Sequence, residues 1–360
     1  MILKDILTGL MRLPGLAGYE GRVRQAIAAH LRADGIDSRT DRIGNLITTF
    51  PGNPSAPSVM VFAHMDQLGF VVRKIEDDGS QRLTRVGGVP ERALASQPVL
   101  VCVGEGRDVA GVIGNMSHHA TPPEQRHRVI TTPGLRVDTG HSSREAASAA
   151  GIAIGTPVVY LPSVMELAGD RIAGTSVDDR AGCAVLIDLI HALKDERNLP
   201  TIHAVFSVQE EFNLRGAVVA AQNLQPDIAI QIDLMLATDT PDMADRGEMR
   251  LGKGPGISMY SFHGRGTLNG VIPHPALVEL FEGAAEALEL NLQRSAQTGV
   301  LTDLSYVQSL GEGVASIDVG FPMRYSHSSL EVCAISDLVA LRDLLARVLT
   351  DVGAGIELRR

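Results

Sequence analysis

The sequence predicts an α/β fold, a mixed and mostly parallel sheet flanked by helices, with a small β-rich domain inserted into it. Three observations predict this. Largely apolar runs at 58–63, 203–208, 228–232 and 314–319, the first of them uninterrupted, have the length and character of strands covered on both faces. Amphipathic or fully apolar helical stretches lie between and after them. Residues 70–162 have a different texture, short alternating runs separated by glycine, proline and charged turns.

The elements follow in order. Residues 3–12 and 20–34 read as helices; Val23, Ile27 and Leu31 give the second an apolar stripe, and Gly35 stops it. Residues 45–50 read as a strand, after which Pro51, Gly52, Asn53 and Pro54 turn the chain. The buried strand 58–63 runs directly into His64. In the β-rich segment, runs at 70–75, 99–103, 109–113 and 157–161 predict strands, and the alanine-rich stretch 142–150 predicts a helix. Residues 180–194 are apolar nearly all round, as in a buried helix. Leu277, Leu280, Phe281, Ala284 and Leu288 mark one more helical stripe. Leu338, Leu341, Leu345, Val348 and Val352 mark the last, with Ser336 as its expected N-cap. The texture before residue 69 matches that after 163. The simplest organisation is a discontinuous α/β domain, residues 1–69 and 163–360, interrupted by residues 70–162.

Composition narrows the function classes. The chain has 360 residues, 44% of them hydrophobic, enough for a large core. A net charge of -10 argues against nucleic acid as a partner. Cys102, Cys183 and Cys333 are far apart and fit neither a disulfide framework nor a zinc ribbon. Charged and polar residues break the first apolar run, which reads as an amphipathic helix and not a secretory signal. No apolar run approaches the roughly 20 residues of a membrane span. The expected location is cytoplasmic, with neither membrane nor nucleic acid as partner.

Five clusters carry the chemistry: His64-Met65-Asp66, Asp178-Asp179, Glu210-Glu211, Asp233 and His327. In open α/β sheets, ligands sit beyond the carboxyl ends of the strands. His64 ends one predicted strand, Asp233 ends another, Glu210 and Glu211 follow a third, His327 lies in a loop after the fourth, and Asp178 precedes a helix. Taken singly, each has a plainer explanation: a hydrogen-bonded histidine, a helix cap, a solvated loop. Five such accidents at strand ends are a different matter. Mixed imidazole and carboxylate donors suit zinc, cobalt or manganese better than magnesium or calcium. One carboxylate bridging two metals, each completed by a histidine and a further acid, makes a co-catalytic hydrolase centre. A glutamate doublet offers one ligand and one free base, and Asp66 is placed to orient the His64 ring.

Other motifs are weaker. Gly247-Glu-Met-Arg-Leu-Gly-Lys-Gly254 has phosphate-loop spacing, but Gly254 replaces the magnesium-holding Ser/Thr. His118, His119 and His127 read as a surface loop. Neither H-E-x-x-H nor G-x-S-x-G occurs.

The strings Ala63-His-Met-Asp-Gln-Leu-Gly-Phe70, Gly174-Thr-Ser-Val-Asp-Asp-Arg-Ala-Gly182, Gln209-Glu-Glu-Phe-Asn-Leu-Arg-Gly216, Asp233 with Ala-Thr-Asp-Thr-Pro241, and Arg324-Tyr-Ser-His-Ser328 resemble the tetrahedral aminopeptidases. That family is also catalogued as glutamyl aminopeptidases and as endoglucanase M. The resemblance runs in order over essentially the whole chain. It implies a zinc-exopeptidase-like fold and a dinuclear aminopeptidase acting on short peptides, with a metal-activated water as nucleophile. His64, Asp178, Glu211, Asp233 and His327 would be the metal ligands, with Asp178 bridging. Glu210 would be general base and acid, and Asp66 would orient His64. A cis peptide is implied between Asp178 and Asp179. Two divalent ions per subunit are implied, zinc first, with cobalt or manganese as alternatives. The inserted domain would dimerise the chain, and dimers would build a tetrahedral dodecamer. Gln67, Phe212, Asn213, Leu234 and Met235 depart from the family pattern beside the expected site and bear on substrate preference. The same centre would also serve a carboxypeptidase or an N-acyl amino-acid deacylase, and a silent assembly or peptide-binding homologue is the non-enzyme alternative. Endoglucanase chemistry is disfavoured, because glycosidases use a carboxylate pair without metals.

Overall fold

The apolar run before His64 forms strand Val59–His64, buried along its whole length. In the computed structural model, which describes residues 2–264, 269–353 and 355–359, this strand lies between Ile202–Ser207 and Ile228–Leu236 and is parallel to both. Ala315–Met323 continues the parallel set beside Ile228–Leu236. Leu46–Phe50 and Arg39–Thr40 extend the sheet antiparallel on one side; Gly256–Phe262, Gly270–Val271 and Gln293–Thr298 extend it on the other. Four parallel strands therefore present their carboxyl ends at one edge.

Helices cover both faces. Leu3–Met11, Val177–Leu193, Pro275–Ala287 and Ile335–Asp351 pack over one, burying Leu7, Leu186, Phe281 and Leu341. Gly216–Leu224 and Leu304–Val307 cover the other, against Met60 and Phe62. Such two-sided cover is why the strand runs are apolar without alternation. Within the intervening segment, Gly69–Ile75, Gln81–Val86, Arg136–Asp138, Val109–Ile113, Pro98–Val101 and Pro157–Tyr160 close in that order into a barrel. Phe70, Leu83, Val99, Ile113 and Val158 fill it.

Several expectations shift. Ile228–Leu236 and Ala315–Met323 run four residues further than the apolar runs at 228–232 and 314–319 suggest, so Asp233 lies inside a strand and not at its end. The helix predicted at 142–150 is the shorter Arg144–Ala149, capped by Ser143, whose Oγ accepts from the Ala146 N–H. Ser336 is not an N-cap. The last helix starts at Ile335, and the Ser336 N–H donates to the Asp170 carboxylate at 2.8 Å, so an acid from outside caps this end. No helix of the described residues is long and apolar enough to cross a membrane.

Gly320 shows how closely sheet and site are coupled. A Cβ there would meet the Asp233 carbonyl oxygen at 1.8 Å and the Met235 side chain at 3.3 Å. Only glycine lets these two strands carry Asp233 in register.

Candidate metal centre

Register brings the clusters together. Ser207 pairs with His64, so the strand before the glutamate doublet ends level with the histidine. Gln209, Asn213 and Leu214 adopt positive φ in the loop carrying Glu210 and Glu211, as do Tyr325 and His327 in the loop after Met323. Non-glycine residues keep such backbone only where their surroundings hold them. Asp178 and Asp179 have non-helical φ/ψ at the head of Val177–Leu193, and their peptide bond is cis.

Two groups of three donors result. His64, Asp178 and Asp233 form one and Asp178, Glu211 and His327 the other, the donor atoms of each lying within 4.8 Å of one another. Asp178 belongs to both. His64 Nε2 is 3.0 Å from Asp178 Oδ1, and His327 Nε2 is 3.5 Å from Asp178 Oδ2. Both rings are oriented by carbonyl oxygens, which only accept: His64 Nδ1 donates to the Asp66 carbonyl at 3.1 Å, and His327 Nδ1 donates to the Gly88 carbonyl of the barrel at 3.0 Å. Each Nε2 is thereby turned toward the acids. Glu210 belongs to neither group; its Oε2 stands 4.0 Å from His64 Nε2.

Asp66 does more than sequence reasoning assigned. Its Oδ1 lies 3.6 Å from His64 Nδ1, while its two carboxylate oxygens accept the backbone N–H groups of Glu210 and Glu211 at 3.0 Å each. It therefore ties the doublet to the histidine strand. Sequence reasoning missed Glu331, whose carboxylate accepts from the Asp178 N–H at 3.0 Å and the His327 N–H at 2.8 Å, clasping a residue from each group. Its only sequence signal was proximity to His327. Asp303, fully buried and bonded to Ser207 Oγ, was also missed.

The departures from the family pattern separate in space. Asn213 and Leu234 line the cavity at the centre. Gln67 sits behind it, buried, accepting from Ser176 Oγ and the Arg180 guanidinium. Phe212 is exposed beneath Arg215, and Met235 packs at Gly320. His118, His119 and His127 are exposed and fall in neither donor group.

The electrostatics test whether divalent metals fit. Asp66, Asp178, Asp179, Glu210, Glu211, Asp233, Asp303 and Glu331 converge on two imidazoles. Among the described residues Arg180 is the one fully buried guanidinium near them, and it is directed to the Leu10 carbonyl and Gln67. Burial, then the Asp233 charge, holds the Asp179 carboxyl well above its usual range. Burial also lifts Glu210 well above it, and lifts Glu211 and Asp233 to about 7. Burial alone would lower His64, but the bonded Asp178 and Asp66 outweigh it and hold the ring well above its usual value. For His327, burial is outweighed by Glu211 and Asp178, which raise it to about 9. Burial would raise Asp178, yet the His64 bond prevails and keeps it low. Without metal, the centre balances its acids by retaining protons. Divalent cations meet the same need, and the donor set suits them.

Comparison with known proteins agrees. The family model described as M42 glutamyl aminopeptidase matches residues 44–344. The chain is 32% identical to a lysyl aminopeptidase of Pyrococcus furiosus over 93% of each chain. Its fold matches an aminopeptidase of the archaeon Desulfurococcus kamchatkensis with a TM-score of 0.90 at 32% identity, covering 98% of this chain and 95% of that one. It also matches a Pyrococcus horikoshii TET1 peptidase, described as assembling into a tetrahedron or a large octahedral shell, with a TM-score of 0.87 at 29% identity, covering 97% and 99%. With the whole fold and the family match in agreement, this chain belongs to the M42 glutamyl aminopeptidase family and is a peptide hydrolase.

Proposed function

We propose that the chain is a dinuclear metal-dependent aminopeptidase that releases N-terminal residues from short peptides. The observation that carries this reading is the pair of donor groups sharing Asp178, with Glu210 beside them and unclaimed by either. His64, Asp178 and Asp233 would hold one ion, and Asp178, Glu211 and His327 the other. When bound, the two ions supply Lewis acidity to the scissile carbonyl and acidify water; zinc fits the donors, as do cobalt and manganese. Glu210 takes the proton of the attacking water and returns it to the leaving amine. Asp66 holds the doublet's backbone, so that Glu210 faces the cavity while Glu211 faces the ligands.

The cavity, about 500 Å³, supports the amino-terminal direction. Its charged lining among the described residues is acidic apart from histidines, with neither lysine nor arginine. A free N-terminal ammonium is welcome there. The terminal carboxylate that a carboxypeptidase or a deacylase must bind meets no lysine or arginine among the described lining residues.

A stability measurement tests the metal requirement. The raised carboxyls and imidazoles of the metal-free centre stabilise the fold while protonated, and that contribution is lost as pH rises from about 4 through about 9. The Tm of chelated protein should therefore fall between about pH 5 and pH 8. Saturating zinc should raise Tm most at the alkaline end, by a stabilisation of about 2.7 kcal/mol at a hundredfold excess over Kd. A chelated protein whose Tm is flat over that window, with no response to zinc, contradicts the metal centre.

The assembly proposal follows the TET1 relative: the barrel pairs two chains, and six pairs form a tetrahedral dodecamer. Light scattering should give a mass of about twelve chains in solution; a monomer at micromolar concentration contradicts it.

A further inference from the structure

A second, smaller chamber lies behind the floor of the substrate cavity, and of its lining residues only Asp233 belongs to the donor groups. Asp233, Leu234, Leu236, Val300 and Thr302 line both spaces, and the last four form the partition. The far walls come from three neighbouring strands: Ser258 and Ser261 from one, Ser295 and Gln297 from the next, and Asp318 from Ala315–Met323. Ser258 pairs with Ser295 and Ser261 with Gln297, so the polar residues are stacked in register.

Polar walls inside a sheet cost free energy unless their hydrogen bonds are made. Two here are not made. Asp318 Oδ2 and Ser261 Oγ have no hydrogen-bond partner among the described residues, although Asp318 is 2% exposed and Ser261 3%. Thr302 Oγ1 donates to Asp318 Oδ1 at 2.9 Å, which fixes the carboxylate and leaves the other oxygen unclaimed. No lysine, arginine or histidine is among the described lining residues. The chamber's volume is about 20 Å³, room for one water-sized group.

Its position relative to the metal centre is set by register. Gln231 pairs with Asp318, and Asp233 stands two residues further along the same strand. The rise per residue separates the two carboxylate rows by about 7 Å. A four-carbon side-chain stem spans that distance.

We infer that this chamber ends the subsite for the substrate's N-terminal side chain and takes the ammonium of a lysine-like residue, with Asp318 as counter-ion and Ser261 as second acceptor. The inference rests on the aminopeptidase reading above. The stem packs between Leu234, Leu236 and Val300. A guanidinium is too large for the chamber. A glutamate would bring its carboxylate against Asp318, and a leucine would stop at the partition and leave the buried acid unpaired.

The test uses the metal-loaded full chain and lysyl, leucyl, arginyl and glutamyl p-nitroanilides. Lysyl kcat/KM should exceed each of the others at least tenfold. Asp318→Asn, close to isosteric, should lower the lysyl-to-leucyl ratio roughly 30-fold or more, since it breaks a buried charge pair. Ser261→Val fills the chamber while keeping the acid, and should lower the same ratio, so the result does not hang on one variant folding. A merely structural role for Asp318 would lower both substrates together. Calorimetry on the metal-loaded wild type gives a readout free of turnover: L-lysine should bind more tightly than L-norleucine. Leucyl turnover with no lysyl preference and an unchanged ratio in both variants overturns the inference, with the chamber holding a buried water only, and leaves the aminopeptidase reading standing. No turnover of any substrate overturns that reading; lysine binding no tighter than norleucine overturns the chamber assignment by itself.

Discussion

In the Glu210→Gln protein, kcat should fall by about 10²–10⁴-fold while both metal ions stay bound. The substitution keeps the size of the side chain and removes only its capacity to accept and return a proton. The Glu210 N–H remains held by Asp66 Oδ1 at 3.0 Å, so the loop keeps its course. Neither donor group includes Glu210, so metal content by elemental analysis should match wild type. KM should change little, because the proton transfer belongs to the transition state. Glu211→Gln is the contrast: it weakens an inferred ligand and should show metal loss. Metal loss in Glu210→Gln, or a kcat near wild type, would reverse the roles given to the two glutamates.

Asp178→Asn should have the largest effect on metal. Asp178 is the one residue common to both donor groups, and each imidazole Nε2 faces one of its oxygens. An amide offers one neutral oxygen in place of two charged ones, so both ions are weakened together. Even outer-shell partners cost about 10–100-fold in metal affinity; loss of the shared carboxylate should cost roughly 10²-fold or more, and turnover should vanish at micromolar zinc. The Tm rise on adding zinc should disappear too. The metal-free Tm should move little, because removing one charge from a crowd of buried acids offsets the lost pairing with His64. Two tightly bound ions in this variant would falsify the shared-ligand assignment.

Much of this was legible in the sequence, for physical reasons that differ by element. Val59–His64 was visible because both its faces are covered, leaving an apolar run that stops at the first polar ligand. Gly256–Phe262 and Gln293–Thr298 were not visible, because their serines and glutamine face a polar chamber and break both periodicities. Short alternating runs announced a β-rich segment, but barrel closure depends on pairing Gly69–Ile75 with Pro157–Tyr160, far apart in sequence. The ligand candidates could be read because their residue types are chemically specific. Glu331 could not: it clasps through backbone N–H groups, and any carboxylate in the right place would do that.

The hydrogen bond from His327 to the Gly88 carbonyl has a mechanical meaning. Gly88 lies just past strand Gln81–Val86 of the barrel, and its carbonyl fixes which nitrogen of His327 keeps a lone pair. Under the proposed ligand assignment the barrel is a limb of the reaction centre, and trimming it away would leave the His327 ring without this acceptor. If His327 binds metal as proposed, anything that tugs on the barrel, a neighbouring chain included, would pull on the contest between proton and metal at that imidazole.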